Sequence, residues 1–392
     1  MQALLLLSAA CTLLFYLYTA VEMARASRTI SNLEDIPPFT GANPPKVSVV
    51  VAACNEQRGI EQALNSVLHQ DYPDYEVIVV NDRSTDRTGE ILHRMSQTNP
   101  RLQLITIQQL PPAWLGKNHA LHQGAARASG EFLIFTDADI VMHPSVVSRA
   151  VRYVLDHGTD HLAIPPRVVM EGVLLNAFLG AFALVFNMYV QPWKARNPKS
   201  TQHVGIGTFN MVRTAVYRAV GGHQRIAMRP DDDMKLGKLL KAEGYKQDMV
   251  VGTALISVEW YECFGQMVQG LMKNMFANVE YSVVLAISGA TAQVLTGVWP
   301  FAAVFLTHGW LQILNALIVA VLLILYCANA GPARISRLYA LTYPLALLTF
   351  CYILLRSMTV TLWNGGINWR GTHYPLSQLR AKPPMSGQGP GR

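Results

Sequence analysis

Hydrophobic positions along this chain follow three rhythms, each suited to a different surrounding. Ala3–Val21 is apolar almost without interruption, about the length a bilayer-spanning helix needs. From Lys46 to Tyr261, short β-branched runs alternate with stretches of helical spacing, as in a soluble α/β domain. Beyond that stretch long apolar runs return, as Ser282–Leu306, Trp310–Ala328 and Leu338–Val360. The pattern predicts a transmembrane anchor over residues 1–21, a linker over 22–45 and a globular domain over 46–255. An interfacial amphipathic segment is expected over 256–281, two to three membrane segments over 282–360, and a tail over 361–392.

Within the globular stretch, Val47–Ala53 is a nearly unbroken β-branched run, the mark of a strand buried on both faces. Ile60, Leu64, Val67 and Leu68 follow at helical spacing. Glu76–Val80 repeats the strand signal and Thr85–Met95 the helical one. Leu102–Ile107 and Glu131–Thr136 read as the third and fourth strands, with a helix over Asn118–Ala128 between them. This βαβαβαβ order predicts a mostly parallel sheet with helices on both faces. Such sheets bind ligands beyond the carboxyl ends of their strands. Polar residues gather there: Asn55 and Glu56 after the first strand, Asn81 and Asp82 after the second, Asp137 and Asp139 after the fourth.

Composition agrees with a divided chain. Hydrophobic residues make up 51% and charged residues 15%, against roughly 25% charged in a soluble domain. The net charge of +7 comes without a Lys/Arg block, which argues against nucleic acid and suits anionic lipid headgroups. Cys11, Cys54, Cys263, Cys327 and Cys351 show no metal-ligand spacing and read as small buried hydrophobes in a reducing compartment. The apolar runs are few and carry no paired charges, which disfavours a transporter.

No positive charge precedes the first apolar run, whereas Arg25 and Arg28 follow it. The positive-inside rule then puts the N-terminus outside and the globular stretch in the cytosol; a cleaved signal is the alternative. Arg334 and Arg337 mark the loop between the last two runs as cytosolic. Three full C-terminal crossings would leave the tail outside, yet Trp369, Arg370, Arg380 and Lys382 read as a cytosolic, membrane-surface segment. Pro300 interrupts the first of the three runs, so a re-entrant path there would resolve the conflict. Gly172–Val190 is also apolar enough to span. It is expected instead to be buried or interfacial, because a lone crossing would separate Asp139 from Asp233.

Alternate residues leaving a strand can aim two carboxylates around one cation, and all-oxygen ligation by Asp137 and Asp139 suits Mg2+ or Mn2+. Pro144 is placed to begin the next helix, which leaves Asp139 too far upstream to cap it. Asp82 lies directly off its strand, free to bond a base edge, whereas Ser84 or Asp86 would cap the following helix. Asp231, Asp232 and Asp233 open a helix running through Leu236, Leu239 and Leu240 to Gly244. One Asp suffices for a cap; three repel, and repulsion raises a carboxyl pKa towards that of a general base, with Asp231 the bystander. Lys117 is either a phosphate ligand or a solvated surface residue. His119, His122 and His203 read as structural or surface residues, and Gly205 and Gly207 are too sparse for a phosphate loop.

In chain order, Val47–Glu56, Val79–Thr88, Phe135–Asp139, Gly207–Val212 leading to Gly221 and Gly222, and Asp232–Leu236 resemble family 2 glycosyltransferases of the GT-A fold. The likeness covers about residues 46–261. Pro112–His119, the N-terminal anchor and Trp369–Tyr374 resemble the branch that glycosylates membrane lipids, including ceramide, hopanoid-associated and carotenoid-type enzymes. The resemblance implies a Rossmann-like, mostly parallel α/β catalytic domain with N-terminal and C-terminal transmembrane helices. It implies that Ala53, Asn55, Glu56 and Ala138 line the nucleotide-sugar pocket and that Asp82 contacts a uracil-type base. Asp137 would serve the ribose or the metal, and Asp139 would ligate Mg2+ or Mn2+. Asp233 matches the base of the family's Glu-Asp pair, with the shorter Asp232 in the Glu position.

Processive members carry Gln-x-x-Arg-Trp after the base, whereas this chain reads Gln266-Met-Val-Gln269-Gly-Leu-Met-Lys273. Lys273 either replaces a diphosphate contact or snorkels at the interface. The expectation is a multi-pass protein of a bacterial inner membrane with a cytosolic catalytic domain, transferring one sugar with inversion from a nucleotide-diphosphate sugar, UDP-linked, to a lipid acceptor. The alternatives are a polyisoprenyl-phosphate glycosyltransferase, a polysaccharide synthase, and a catalytically silent nucleotide-binding subunit.

Overall fold

In the computed structural model, which describes residues 2–380, the chain opens with helix α1 (Gln2–Ala26). There follow β1 (Val47–Ala53), α2 (Ile60–Leu68), β2 (Tyr75–Asp82), α3 (Thr88–Thr98), β3 (Leu102–Ile107), α4 (Gly116–Arg127) and β4 (Phe132–Asp137). The four strands are parallel neighbours in the order β3–β2–β1–β4. Successive side chains alternate across a strand. Val47, Val49 and Val51 therefore pack into one apolar core while Val50 packs into the core on the opposite face.

The second half of the domain has no comparable signal in the sequence. It comprises β5 (Ile140–Met142), α5 (Val146–His157), β6 (His161–Ala163), β7 (Arg167–Val169), α6 (Val173–Val190), β8 (Asn210–Arg213) and α7 (Thr214–Ala219). It ends with α8 (Asp232–Ala242), β9 (Gln247–Met249) and β10 (Ile256–Glu259). Strand β8 runs antiparallel to both β4 and β6, giving a mixed seven-stranded sheet in the order β3–β2–β1–β4–β8–β6–β9. A second sheet is ordered β5–β10–β7. These strands hold three or four residues each, too few to show a period. Pro144 does not begin α5: Ser145 is the N-cap and Val146 the first helical residue. Strand β5 separates Asp139 from that helix.

The chain closes with α9 (Phe264–Asn278), α10 (Val283–Gln293), α11 (Trp299–Leu306), α12 (Gly309–Ala330), α13 (Tyr343–Trp363), the hairpin β11 (Gly366–Trp369) and β12 (Thr372–Pro375), and α14 (Leu376–Leu379). Among the described residues, five helical runs are long and apolar enough to cross a membrane, by length and composition alone: Gln2–Ala26, Val173–Arg196, Val283–Leu306, Gly309–Ala330 and Arg337–Trp363. A π-helical turn at Val294–Val298 joins α10 to α11. It absorbs Pro300, whose ring would clash in a regular helix, so the run is distorted and not ended there.

Both ends of α6 are fastened to the α/β domain. The Asn176 side chain donates to the Met170 carbonyl just beyond β7. At the other end Ala195 is fully buried beside Ala163 of β6 and Met249 of β9, and Arg196 pairs with Asp248 at 3.0 Å. Between those ends the helix packs in one apolar cluster with α9, α12 and α13, Phe178 and Leu184 meeting there with Leu271, Leu322 and Ile353. Helix α13 starts where Tyr343 meets Tyr326 near the end of α12 and finishes at the hairpin. Lys382 lies outside the described residues. The cysteine expectation needs correcting, since Cys351 alone is buried while Cys11 and Cys263 are exposed and Cys54 and Cys327 half-buried.

Candidate active site

Parallel register brings the acidic strand exits together. Ala53 stands beside Asn81, and Ala52 stands between Val80 and Asp137. The Cys54–Glu56 loop, Asp82 and the Asp137–Asp139 turn therefore share one edge of the sheet. Lys117 reaches the same edge from the first turn of α4, and Asp232 and Asp233 from the first turn of α8. Lys117 Nζ lies 2.8 Å from Asp137 Oδ1 and 3.3 Å from Asp232 Oδ1. The Asp233 carboxylate is oriented from both sides: Gly207 N–H donates to Oδ2 at 2.8 Å and Met234 N–H to Oδ1 at 2.7 Å. Lys117, Asp137, Gly207, His223, Asp232 and Asp233 line one small cavity.

Charge is unevenly compensated in this cavity. Burial works against the Lys117 ammonium, but Asp137, Asp232 and Asp233 together hold its pKa well above the usual value. Burial and the adjacent Asp232 carboxylate push Asp233 up to about 7. Burial raises Asp232 as well, against the pull of Lys117. The His223 ring is buried and pushed down to about 3, so it stands neutral, bonded at 2.8 Å to the Tyr217 hydroxyl.

Asp139 is the uncompensated group of the set. Burial, Asp137 and Glu56 raise its carboxyl to about 7, and among the described residues it has no Lys, Arg or His partner. No group of three or more His, Cys, Asp or Glu residues could cage an ion among the described residues. That fits a hard cation completed by substrate: Mg2+-type sites use one or two carboxylates and take their remaining oxygens from phosphates and water. Asp139, with Asp137, has the donor chemistry for Mg2+ or Mn2+.

Several expected roles change on inspection. The Ala53 and Ala138 side chains point into the core beneath the sheet, so only their backbone can meet a ligand. Asn55 spends its side-chain carbonyl on the Thr85 N–H at 2.8 Å, knitting one loop to the next. Asp82 is not free: Arg83 takes both of its oxygens, at 2.8 and 3.0 Å. The Glu56 carboxylate is held by Arg370. Lys117 is not a solvated surface residue, given its two carboxylate partners. Lys273 does not snorkel outward; its ammonium lies 4.5 Å from the Trp369 ring centre, and burial and Lys117 lower its pKa. Asp86 accepts from Thr88 N–H at the start of α3, as a cap does. Asp231 is buried in an ion pair with Arg229 at 3.0 Å. His119 and His122 flank the Trp114 ring, and His203 lies on a loop near its own Thr201 carbonyl.

Arg83, His223 and the β11–β12 hairpin were not anticipated at the site. Arg83 adopts a positive φ of 55°, which turns its guanidinium back over Asp82, and nothing in its residue type announces that. The hairpin turns at Arg370-Gly371: Gly371 suits the positive φ of a two-residue turn, whereas the residue type of Arg370 does not announce its own. Their φ values are 51° and 77°.

Comparison with known proteins agrees with this geometry. Residues 48–221 match the family model described as glycosyl transferase family 2, a span that includes Asp82, Asp137 and Asp139 and ends before Asp231. The chain is 22% identical over 351 residues to a 4,4'-diaponeurosporenoate glycosyltransferase of Staphylococcus aureus, covering 85% of this chain and 89% of the relative. Its fold is similar to that of a mannosyltransferase from Pyrobaculum calidifontis solved with GDP-Man and Mn2+, with a TM-score of 0.54 and 20% identity. That likeness covers 93% of this chain and 99% of the other. The chain is thus a glycosyltransferase of the GT-A fold whose residues 48–221 form a family 2 glycosyltransferase domain.

Proposed function

We propose that the chain transfers a single sugar, with inversion, from a nucleotide-diphosphate sugar to a membrane lipid at the cytosolic face. The observation that carries this reading is the meeting of Asp233, Asp232, Asp137 and Lys117 in one cavity at the carboxyl edge of the sheet. Leu115, two residues from Lys117, is fully buried in the same apolar cluster as Phe178 of α6, Leu271 of α9 and Ile353 of α13. The reacting groups therefore lie next to the helices that would meet a lipid. The S. aureus relative, named for a 4,4'-diaponeurosporenoate acceptor, supports a carotenoid-type lipid.

Asp233 is the base in this mechanism. It is half-exposed where Asp232 is buried, and it has no ion-pair partner among the described residues. Its raised pKa matches a carboxylate that must take a proton near neutral pH. Two backbone N–H groups fix its direction, so the acceptor hydroxyl is held against one oxygen as it attacks the anomeric carbon from the face opposite the departing diphosphate. Asp232, in the Glu position, holds Lys117 at 3.3 Å. Asp139 and Asp137 would hold Mg2+ or Mn2+, which when bound supplies Lewis-acid neutralisation of the leaving nucleoside diphosphate. Absence of a Gln-x-x-Arg-Trp string after Asp233 supports transfer of one sugar.

In the membrane, α1 and the paired runs Val283–Leu306 and Gly309–Ala330 would cross, while α6, fastened to the domain at both ends, and α13, which ends at the hairpin, would lie in the cytosolic interface. Lipid mass spectrometry of cells with and without the chain tests the acceptor. A lipid heavier by one hexose is expected only when the chain is present; identical lipid profiles would overturn the reading.

A further inference from the structure

One segment that the chemistry above does not use closes over the donor edge. The β11–β12 hairpin comes from the far end of the chain, after the last membrane helix, yet it touches each loop at the carboxyl ends of β1 and β2. Arg370 donates to the Cys54 carbonyl and, at 3.4 Å, to the Asn55 carbonyl, and pairs with the Glu56 carboxylate. Arg83 Nη1 donates to Thr372 Oγ1 at 3.3 Å. Gly116 N–H, at the start of α4, donates to the Tyr374 hydroxyl at 3.3 Å. The Trp369 ring covers the Lys273 ammonium.

These contacts roof the crevice where parallel α/β sheets take their ligands. They also assemble cations around it. Arg83 and Arg370 are held at the rim by single carboxylates, Asp82 and Glu56, while Lys273, against the Trp369 ring, has no carboxylate within ion-pair distance among the described residues. Arg370 sits at a turn held by positive φ at Arg370 and Gly371, so its position is set by the hairpin and does not rest on Glu56 alone. A guanidinium in such a place can exchange one carboxylate for a diphosphate, which offers more charge and a matching two-oxygen face.

We infer that the C-terminal hairpin is part of the donor site: Arg370 binds the diphosphate of the nucleotide sugar, with Glu56 holding its place until the donor arrives. Trp369 positions Lys273 beneath it. This rests on the nucleotide-sugar reading of the site. The hairpin thus ties donor binding to the end of α13, and hence to the membrane-facing helices.

Binding of UDP and GDP with Mn2+ to the full-length protein in detergent, followed by calorimetry, tests the inference separately from catalysis. Arg370→Ala is expected to weaken nucleotide binding roughly tenfold to a hundredfold, in line with the loss of a charge-assisted bond. Arg370→Lys, which keeps the charge without the fork, should fall between that variant and the parent. An unchanged thermal midpoint without nucleotide would show that Arg370→Ala still folds. If Arg370→Ala folds and binds as tightly as the parent, Arg370 is only a strut for Glu56 and the inference fails. If it unfolds, Arg370→Lys decides, and binding equal to the parent's overturns the diphosphate role. If the parent binds neither nucleotide, the donor reading itself falls, and the inference with it.

Discussion

Substitution of Gly237 by alanine separates this packing scheme from ordinary helix propensity. In a helix interior the exchange normally gains about 1 kcal/mol. Here the added Cβ would stand 1.9 Å from the Val204 carbonyl oxygen and 2.6 Å from its carbon. Ordinary contact begins near 3.4 Å, so α8 and the Val204–Gly207 segment must separate by about 1.5 Å (3.4 − 1.9). Overpacking of that kind costs about 1–3 kcal/mol, leaving a net loss of about 0–2 kcal/mol. The larger effect falls on catalysis. The 2.8 Å bond from Gly207 N–H to Asp233 Oδ2 spans that same junction, and a displacement of about 1 Å at reacting groups costs on the order of 10²-fold in rate. Thermal unfolding and donor turnover of the purified variant measure both. A Gly237→Ala protein that is more stable and fully active would refute the close approach of α8 to this segment and the role given to Gly207.

Other outcomes follow from the charges at the site. Asp233→Asn should lower transfer by roughly 10²–10⁴-fold while nucleotide binding persists. Because Asp233 must be ionised and its carboxyl is raised to about 7, turnover should fall as pH drops through about 7 and level off above it. Asp232 and Asp137 push that midpoint up and Lys117 pulls it down. The sign for stability is opposite: a carboxyl raised above its unfolded value makes folding less favourable as pH climbs from about 4 to about 7. Lys117→Met leaves Asp137 and the buried Asp232 without their cation, and unfolding should ease by about 2–3 kcal/mol, read by denaturant titration. Chelation should abolish transfer, with Mg2+ or Mn2+ restoring the parent but not Asp139→Ala, measured as released nucleoside diphosphate.

The parallel half of the sheet was legible because its strands are buried on both faces and so read as unbroken β-branched runs, Val47–Ala53 above all. Parallel register brings the acidic residues at those strand exits to one edge, as the strand order implies. The remaining strands of the sheet were hidden: His161–Ala163 and Gln247–Met249 are three-residue strands that bury polar side chains such as His161 and Gln247. Roles that depend on long-range partners were equally hidden. Asp82 looks free in the sequence because Arg83 folds back only in a left-handed conformation. Glu56 looks free because its partner, Arg370, lies 314 positions away. Hydropathy counted the apolar runs correctly, but the fastening of α6 to the domain at both ends depends on contacts such as Arg196 with Asp248, which no hydropathy value records.

The most direct test reconstitutes the purified full-length chain in vesicles of bacterial lipid extract with nucleotide sugars and Mn2+, and follows lipid products by mass spectrometry. The account predicts a lipid bearing one added sugar, one nucleoside diphosphate released per sugar transferred, and loss of both with Asp233→Asn. Release of nucleoside diphosphate with no glycosylated lipid, or equal product from Asp233→Asn, would contradict it.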